Sequence, residues 1–223
     1  MTETRITGLV FLGQLLVLIL AASIVLSVSG RATSYGVAVT SAYPDNLRGV
    51  SELGNTWGLI VGGAGGTAFV LMAIGFARVT AALYRAGSHL LGPTAFLLFA
   101  IGTVIYVIWA TFEIGPTVWA AEQPVGASFI GPYEPFFRWE GILFATFMLF
   151  SYLAIATVGL ALARMSLVPR WAGWASLIFG LVGTAARVID PSLPGIPTWI
   201  LAGVPGWIPL WGFLLGIVLV KGR

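Results

Sequence analysis

The segment "ITGLVFLGQLLVLILAASIVLSVS", residues 6–29, holds no charged side chain and only Gln14 as a strongly polar one. Crossing about 30 Å of hydrocarbon takes roughly 20 apolar residues at about 1.5 Å per residue. A cleaved signal peptide has an apolar core of only about 7 to 15 residues. Residues 6–29 therefore predict a retained membrane-spanning helix.

The rest of the chain has the same character. Of its 223 residues 58% are hydrophobic and 9% charged, whereas soluble domains carry about 25% charged residues. The apolar runs predict six transmembrane helices, at residues 6–29, 56–77, 93–114, 139–163, 171–188 and 198–220. The fold class is accordingly all-α, a polytopic membrane helix bundle forming a single transmembrane domain over residues 1–223. Pro205 and Pro209 leave two interpretations of the last span, a continuous crossing or a re-entrant segment followed by a crossing from about Trp207.

The charges orient this topology. With six spans, one side carries seven basic residues and one acid, and the other carries four basic residues and seven acids. The positive-inside rule then places both termini in the cytoplasm and the chain in the inner (plasma) membrane as a multi-pass protein. The basic residues are scattered and form no stripe with interleaved aromatics, so no nucleic-acid partner is expected.

The connection at residues 115–138 is rich in aromatic residues, lies on the predicted outer side and leads into the fourth span through "GPYEPFFRWEG", residues 131–141. Its four prolines predict that the segment is not another membrane helix, and its aromatic rings favour the headgroup layer. It is either an interfacial cap that rests on the helix ends or a lid over a pocket.

Helical spacing brings polar and aromatic residues to the outer ends of the third, fourth and fifth spans. Ionisable groups at such a depth are costly and usually paired, so we expect an ion pair between Arg187 or Arg138 and Glu113 or Glu140. The charges either mark the edge of the hydrocarbon or form an outward-facing acidic and aromatic pocket for a small cationic or amphipathic ligand. The predicted ligand-binding residues are Tyr106, Trp109, Glu113, Arg138, Trp139, Glu140, Arg187 and Asp190.

Glycines in the second span, "GLIVGGAGGTA" at residues 58–68, include Gly62 and Gly66 at a four-residue spacing. This spacing lets helix backbones approach closely and predicts association with a partner membrane subunit or a second copy of the chain. No P-loop lysine follows, which argues against a phosphate loop. Gly180 and Gly183 in the fifth span are expected to serve packing in the same way.

The residue types present limit which cofactors and which catalytic chemistry the chain can support. The chain has no cysteine and one histidine, His89, so no metal site and no cofactor are expected. Without an H-E-x-x-H or G-x-S-x-G motif, no catalytic residue is assigned. The sequence favours a non-catalytic membrane protein that binds a small ligand or a partner subunit. Two alternatives remain, a transporter with a discontinuous last helix and an enzyme that uses Glu113 and Glu140 as an acid and base pair.

Residues 162–183, "LARMSLVPRWAGWASLIFGLVG", resemble the signature of a family of bacterial multi-pass integral membrane proteins of unknown function. In that family a short basic loop joins two helices. The matching positions here are Arg164, Ser166, Pro169, Arg170, Trp171 and Gly173. The resemblance implies the six-helix topology and supplies no activity.

Overall fold

The computed structural model describes residues 2–34, 45–117, 127–165, 167–188 and 198–221; within these ranges it leaves out the side chains of 45–47, 116–117, 127–134, 137, 187 and 198–206. All the secondary structure of the described residues is helical. The all-α prediction is therefore confirmed for this part of the chain.

Seven helices form the described fold. They are α1 (Glu3–Ser29), α2 (Asp45–Leu53), α3 (Asn55–Arg85, π-helical over Leu59–Gly65), α4 (Leu91–Phe112, continued by a π-helical turn at Glu113–Thr117), α5 (Ala127–Arg164), α6 (Arg170–Val188) and α7 (Thr198–Lys221). Within the described ranges, four helical stretches are long and apolar enough to cross a membrane: Glu3–Ser29, Asn55–Arg85, Leu91–Gly115 and Arg138–Arg164. In α7 the corresponding apolar stretch, Trp207–Lys221, is shorter. The membrane-protein class is thus supported, and the count of six spans stays a prediction.

Two segments differ from the expected loops. Residues 127–138, predicted as part of the outer cap, form the start of α5 despite Pro132 and Pro135. Each proline removes only its own backbone donor, and the surrounding helical hydrogen bonds remain available. The expected connection between the first two spans contains the short helix α2.

Pro205 and Pro209 lie within one helix, α7, so that segment is not interrupted.

Glycines end two of the long helices. Gly30 after α1 and Gly87 after α3 have φ values of 66° and 101°, a left-handed conformation that a side chain disfavours. Beyond Gly30, the Arg31 amide donates to the Leu26 carbonyl at 3.3 Å, and beyond Gly87 the Ser88 amide donates to the Leu83 carbonyl at 2.9 Å. These bonds satisfy carbonyls that the helix ends leave free.

The chain divides into two compact units. The first comprises Met1–Leu16, Ala68–Val104 and Ala145–Arg223, and the second comprises Val17–Thr67 and Ile105–Phe144. Helices α1, α3, α4 and α5 each contribute residues to both units. The single transmembrane domain over 1–223 stays a prediction.

Aromatic rings form the core of the first unit. Phe76 and Phe99 stack with their centroids 4.2 Å apart, and Trp211 packs against Phe76 at 5.5 Å and edge-on against Phe11 at 5.9 Å. The Trp211 indole N–H donates to the Ser176 hydroxyl at 2.9 Å, which satisfies the polar atom of an otherwise apolar ring. These contacts join α1, α3, α4, α6 and α7.

Helices α5 and α6 approach at backbone contact in the first unit. A Cβ atom added to Gly180 would collide with the Ala156 backbone, and one added to Gly183 would collide with the Tyr152 ring. The predicted packing role of these two glycines is confirmed. Gly159 and Gly173 make equally close approaches on the same pair of helices, so van der Waals contact at small residues stabilises this pair.

Apolar side chains also cover much of the exposed surface of α1. Leu20, Ile24 and Val28 are 57%, 61% and 84% exposed. Soluble monomers rarely expose a continuous apolar face of this kind. A lipid environment accounts for it, because hydrocarbon chains solvate such a face at no cost.

Candidate functional site

Six of the eight predicted ligand-binding residues lie in the second unit: Tyr106, Trp109, Glu113, Arg138, Trp139 and Glu140. Helix α4 with its π-helical turn carries the first three, and α5 carries the others. The Arg187 side chain and Asp190 lie outside the described residues. The expected pairing of Arg187 or Arg138 with Glu113 or Glu140 therefore stays a prediction.

Glu113 is held by a tryptophan. The Trp57 indole N–H, from α3, donates to Oε2 of Glu113 at 3.0 Å. Trp57 is 7% exposed and Glu113 is half-buried. Among the described residues no partner is found for Oε1 of Glu113, so this oxygen is available to accept a further hydrogen bond or a cation.

Trp57 was absent from the predicted site. Its position at the start of the second span, beside the glycine run, gave no pairing signal in a single sequence. The only cue was chemical, because a buried indole N–H requires an acceptor and the spans offered few acidic ones.

Tyr106 is a buried structural contact. Its hydroxyl donates to the Val61 carbonyl at 3.3 Å, within the π-helical stretch of α3. A Cβ atom added to Gly65 would lie 2.7 Å from the same hydroxyl oxygen. A π-helical stretch changes the regular pattern of backbone hydrogen bonds. The Tyr106 hydroxyl supplies a donor to one carbonyl in this stretch.

A chain of aromatic contacts runs between α4 and α5 within the second unit. Trp109 lies 5.5 Å from Tyr106 and 4.8 Å from Phe144 between ring centroids. Phe112 lies 6.4 Å from Trp139, which is 62% exposed. Phe112, the residue before Glu113 in the chain, thus contacts a tryptophan ring that is largely accessible.

The three consecutive residues Arg138, Trp139 and Glu140 do not share a face. Arg138 and Trp139 are exposed, whereas Glu140 is 7% exposed. Successive helical residues are rotated by about 100°, so only one of the three can face inward. Glu140 is the sole charged side chain classed as buried among the described residues.

The glycines predicted to contact a partner lie in two different environments, one inside the second unit and one facing open space. Gly62 faces Ile114 within the second unit, and an added Cβ atom would lie 2.6 Å from that side chain. Gly63 and Gly66 have no atom within 4 Å of the same position. Gly62 therefore serves an internal contact, and the open surface is at Gly63 and Gly66.

A second polar feature, missed by the sequence reasoning, is a cavity of about 270 Å³ in the first unit. Its polar lining is Glu3, Thr4, Thr7, Arg78 and Arg85, and its apolar lining includes Leu162, Leu167 and Leu219. Two basic groups against one acid give it positive character. The signal in the sequence was the seven-residue spacing of Arg78 and Arg85, which puts both on one face of α3.

Among the described residues no three His, Asp or Glu side chains cluster in a way that could hold a metal ion. No protein-family model matches the chain, and no curated protein or solved structure is significantly similar to it.

Proposed function

We propose that the chain is a six-span membrane protein with cytoplasmic termini whose second unit binds a small cationic or amphipathic ligand without catalysing a reaction. The ligand's positive group is held by Glu113, and its apolar part lies against the neighbouring aromatic rings. The resemblance of residues 162–183 to a multi-pass membrane family agrees with this topology.

The observation that carries the proposal is the hydrogen bond from Trp57 to Glu113. The indole fixes the carboxylate through Oε2 at 3.0 Å and leaves Oε1 for a ligand. A carboxylate that is already oriented loses little conformational freedom on binding. In a medium of low dielectric constant its attraction for a cation is much stronger than in water.

The aromatic contact of Phe112, which precedes Glu113 in the chain, adds the second element. Trp139 contacts Phe112 and leaves 62% of its surface accessible. A cation over an indole face gains about 0.5 to 2 kcal/mol, the larger value when water is excluded. An acidic group with accessible aromatic faces therefore selects a positive, partly apolar molecule over an anion.

A partner membrane subunit or second copy is the alternative occupant of this unit. The open positions at Gly63 and Gly66 support it, since both are on α3 with no atom within 4 Å of an added Cβ atom. No comparable observation favours a transporter or an enzyme. The Gly63→Leu variant, compared with wild type by cross-linking in native membranes, tests the alternative, and an unchanged oligomer ladder would reject it.

Ligand binding is tested by thermal unfolding of the purified protein in dodecyl maltoside with tetraphenylphosphonium as the cationic amphipathic probe. Saturation at about 100 times Kd stabilises a protein by about 2.7 kcal/mol, so the melting temperature should rise. Triphenylphosphine oxide, which is apolar but neutral, should give a much smaller shift.

Glu113→Gln should remove most of the tetraphenylphosphonium shift, because the amide keeps the indole hydrogen bond but carries no charge. Glu52→Gln is the matched control, because Glu52 lies in the same unit and accepts a hydrogen bond from the Ser34 hydroxyl at 2.7 Å. Among the described residues no hydrogen bond or ring interaction links Glu52 to Trp57, Phe112 or Trp139. Equal shifts in wild type and Glu113→Gln would refute the proposal.

The topology has its own test. The chain contains no cysteine, so Arg170→Cys and Glu122→Cys each create a single labelling site without background. A membrane-impermeant maleimide applied to intact cells should label position 122 and leave position 170 unlabelled until the cells are opened. Labelling of both positions in intact cells would contradict the six-span arrangement.

A further inference from the structure

The positive cavity of the first unit has two chemically different walls. The N-terminal turns of α1 and the C-terminal part of α3 supply hydroxyl, carboxylate and guanidinium groups. Leu162 of α5, Leu167 and Leu219 of α7 supply an apolar wall. A space with a cationic side and a hydrocarbon side matches an anionic amphiphile, and a simple ion would leave the apolar wall unused.

Arg78 is positioned within this cavity. Its Nε donates to the Thr7 hydroxyl at 3.1 Å, and that hydroxyl donates in turn to the Glu3 carbonyl at 2.9 Å. Thr7 is 5% exposed, so the relay is protected from water. Among the described residues no acceptor is found for the two terminal nitrogens of Arg78. Their N–H groups form the planar fork that binds phosphate oxygens in pairs.

Arg85 forms the more accessible part of the site. Its Nη2 lies 2.7 Å from Oε2 of Glu3, and the two side chains are 62% and 70% exposed. An exposed ion pair of this kind contributes little to stability. An anion that Arg78 binds at the same time can therefore compete with Glu3 for Arg85, while Glu3 turns to solvent.

We propose that this cavity binds the phosphate headgroup of an anionic membrane lipid, with Arg78 and Arg85 holding the phosphate oxygens and the leucine wall receiving the first part of an acyl chain. At about 270 Å³ the space is just below the roughly 300 to 1,000 Å³ of whole small-molecule sites. It therefore suits a headgroup whose chains extend into the bilayer. The inference concerns the first unit only and does not rest on the proposed function of the second.

Native mass spectrometry of the full chain in a neutral detergent tests the proposal. The probes are dioctanoyl phosphatidylglycerol, dioctanoylglycerol with the same chains and no phosphate, and inorganic phosphate as a competitor. We expect saturable binding of phosphatidylglycerol and none of dioctanoylglycerol at the same concentration. Displacement by millimolar phosphate would identify free phosphate as a sufficient ligand, and resistance to it would identify the lipid as the source; both results support the shared phosphate chemistry.

Four variants separate the site from general surface charge. Arg78→Gln and Arg85→Gln should each weaken phosphatidylglycerol binding about tenfold, the effect of losing one charge-assisted hydrogen bond. Arg170→Gln removes an exposed positive charge that does not line the cavity and should change binding little. Glu3→Gln releases Arg85 and should tighten binding.

Equal losses in Arg78→Gln and Arg170→Gln would overturn the proposal, because they would indicate unspecific attraction to basic side chains. Equal binding of dioctanoylglycerol and phosphatidylglycerol would overturn it as well. If Arg78→Gln fails to fold, Glu3→Gln decides the matter, since unchanged or weaker binding in that variant contradicts the release of Arg85.

Discussion

The amide nitrogen and the amide oxygen of the Gln14 side chain have opposite effects on stability, and together they predict the result of replacing this residue. Gln14 is fully buried in the first unit. Its Nε2 donates to the Pro209 carbonyl at 2.6 Å, while its Oε1 has no hydrogen-bond partner among the described residues. Replacing glutamine by methionine keeps an unbranched side chain of similar length and removes both polar atoms.

Losing the Nε2 hydrogen bond lowers stability, whereas removing the unpartnered Oε1 raises it, and the two changes differ in size. A side-chain hydrogen bond between membrane helices contributes on average about 0.6 kcal/mol. A buried acceptor without a partner costs about 1 to 3 kcal/mol. Gln14→Met should therefore stabilise the protein by about 0.5 to 2 kcal/mol. The thioether would also lie near Phe11, since Phe11 and Gln14 both contact the space beside Gly212, and sulfur packs well against aromatic rings.

The assay is reversible unfolding in mixed dodecyl maltoside and dodecyl sulfate micelles, followed by tryptophan fluorescence. Gln14→Ala is the control, because it removes the same polar atoms but leaves a cavity, and it should destabilise by about 2 kcal/mol. A Gln14→Met variant less stable than wild type by more than about 1 kcal/mol would refute the reasoning. It would mean that the Nε2 hydrogen bond outweighs the cost of burying Oε1, or that Oε1 has a favourable partner.

Of three further predictions, two use the same unfolding assay and one uses size-exclusion chromatography. Gly65→Ala should destabilise the protein by about 1 to 3 kcal/mol, because the new Cβ atom collides with the Tyr106 hydroxyl. Gly63→Ala has open space around it and should stabilise the protein by about 0.5 to 1 kcal/mol through better helix propensity. The opposite order of stabilities would contradict the packing described. Gly180→Leu should prevent the close approach of α5 to α6 and abolish folded protein on size-exclusion chromatography, and normal elution would count against that contact. Ser151→Ala should be neutral or stabilising, because the buried Ser151 hydroxyl has no hydrogen-bond partner among the described residues; a loss above about 1 kcal/mol would argue otherwise.

Hydropathy predicted the helices well because it depends on each helix alone. The predicted spans 93–114 and 198–220 match Leu91–Phe112 and Thr198–Lys221 within two residues at each end. The second predicted span ended at 77, but α3 continues to Arg85. Its last turns are more polar, and the helix persists until Gly87 ends it in a left-handed conformation.

Contacts between helices were predicted less well. The pairing of Trp57 with Glu113 joins residues 56 positions apart, and the positive cavity needs α1, α3, α5 and α7 together. Helix packing in lipid depends on shape at small residues and on individual hydrogen bonds, and neither has a periodic signature. Residues 127–138 were missed for a different reason. Proline content suggested a loop, but the segment is helical.

The position of charged groups is the feature by which an experiment can distinguish binding from transport. Ion and proton pathways place ionisable groups within the membrane, facing the interior. Of the described charged residues only Glu140 is classed as buried, and it has interaction partners. Glu113 and Arg78, which carry the two proposed sites, are half-buried and belong to different units.

If the protein binds ligands and does not transport protons, Glu140→Gln should change stability without creating or abolishing proton flux. Glu113→Gln and Arg78→Gln should each affect the binding of one ligand only. Reconstituted vesicles loaded with a pH-sensitive dye provide the measurement. Proton flux in wild type that disappears in Glu140→Gln would assign a transport role to that carboxylate, because no other buried carboxylate in the described part of the chain could carry the proton.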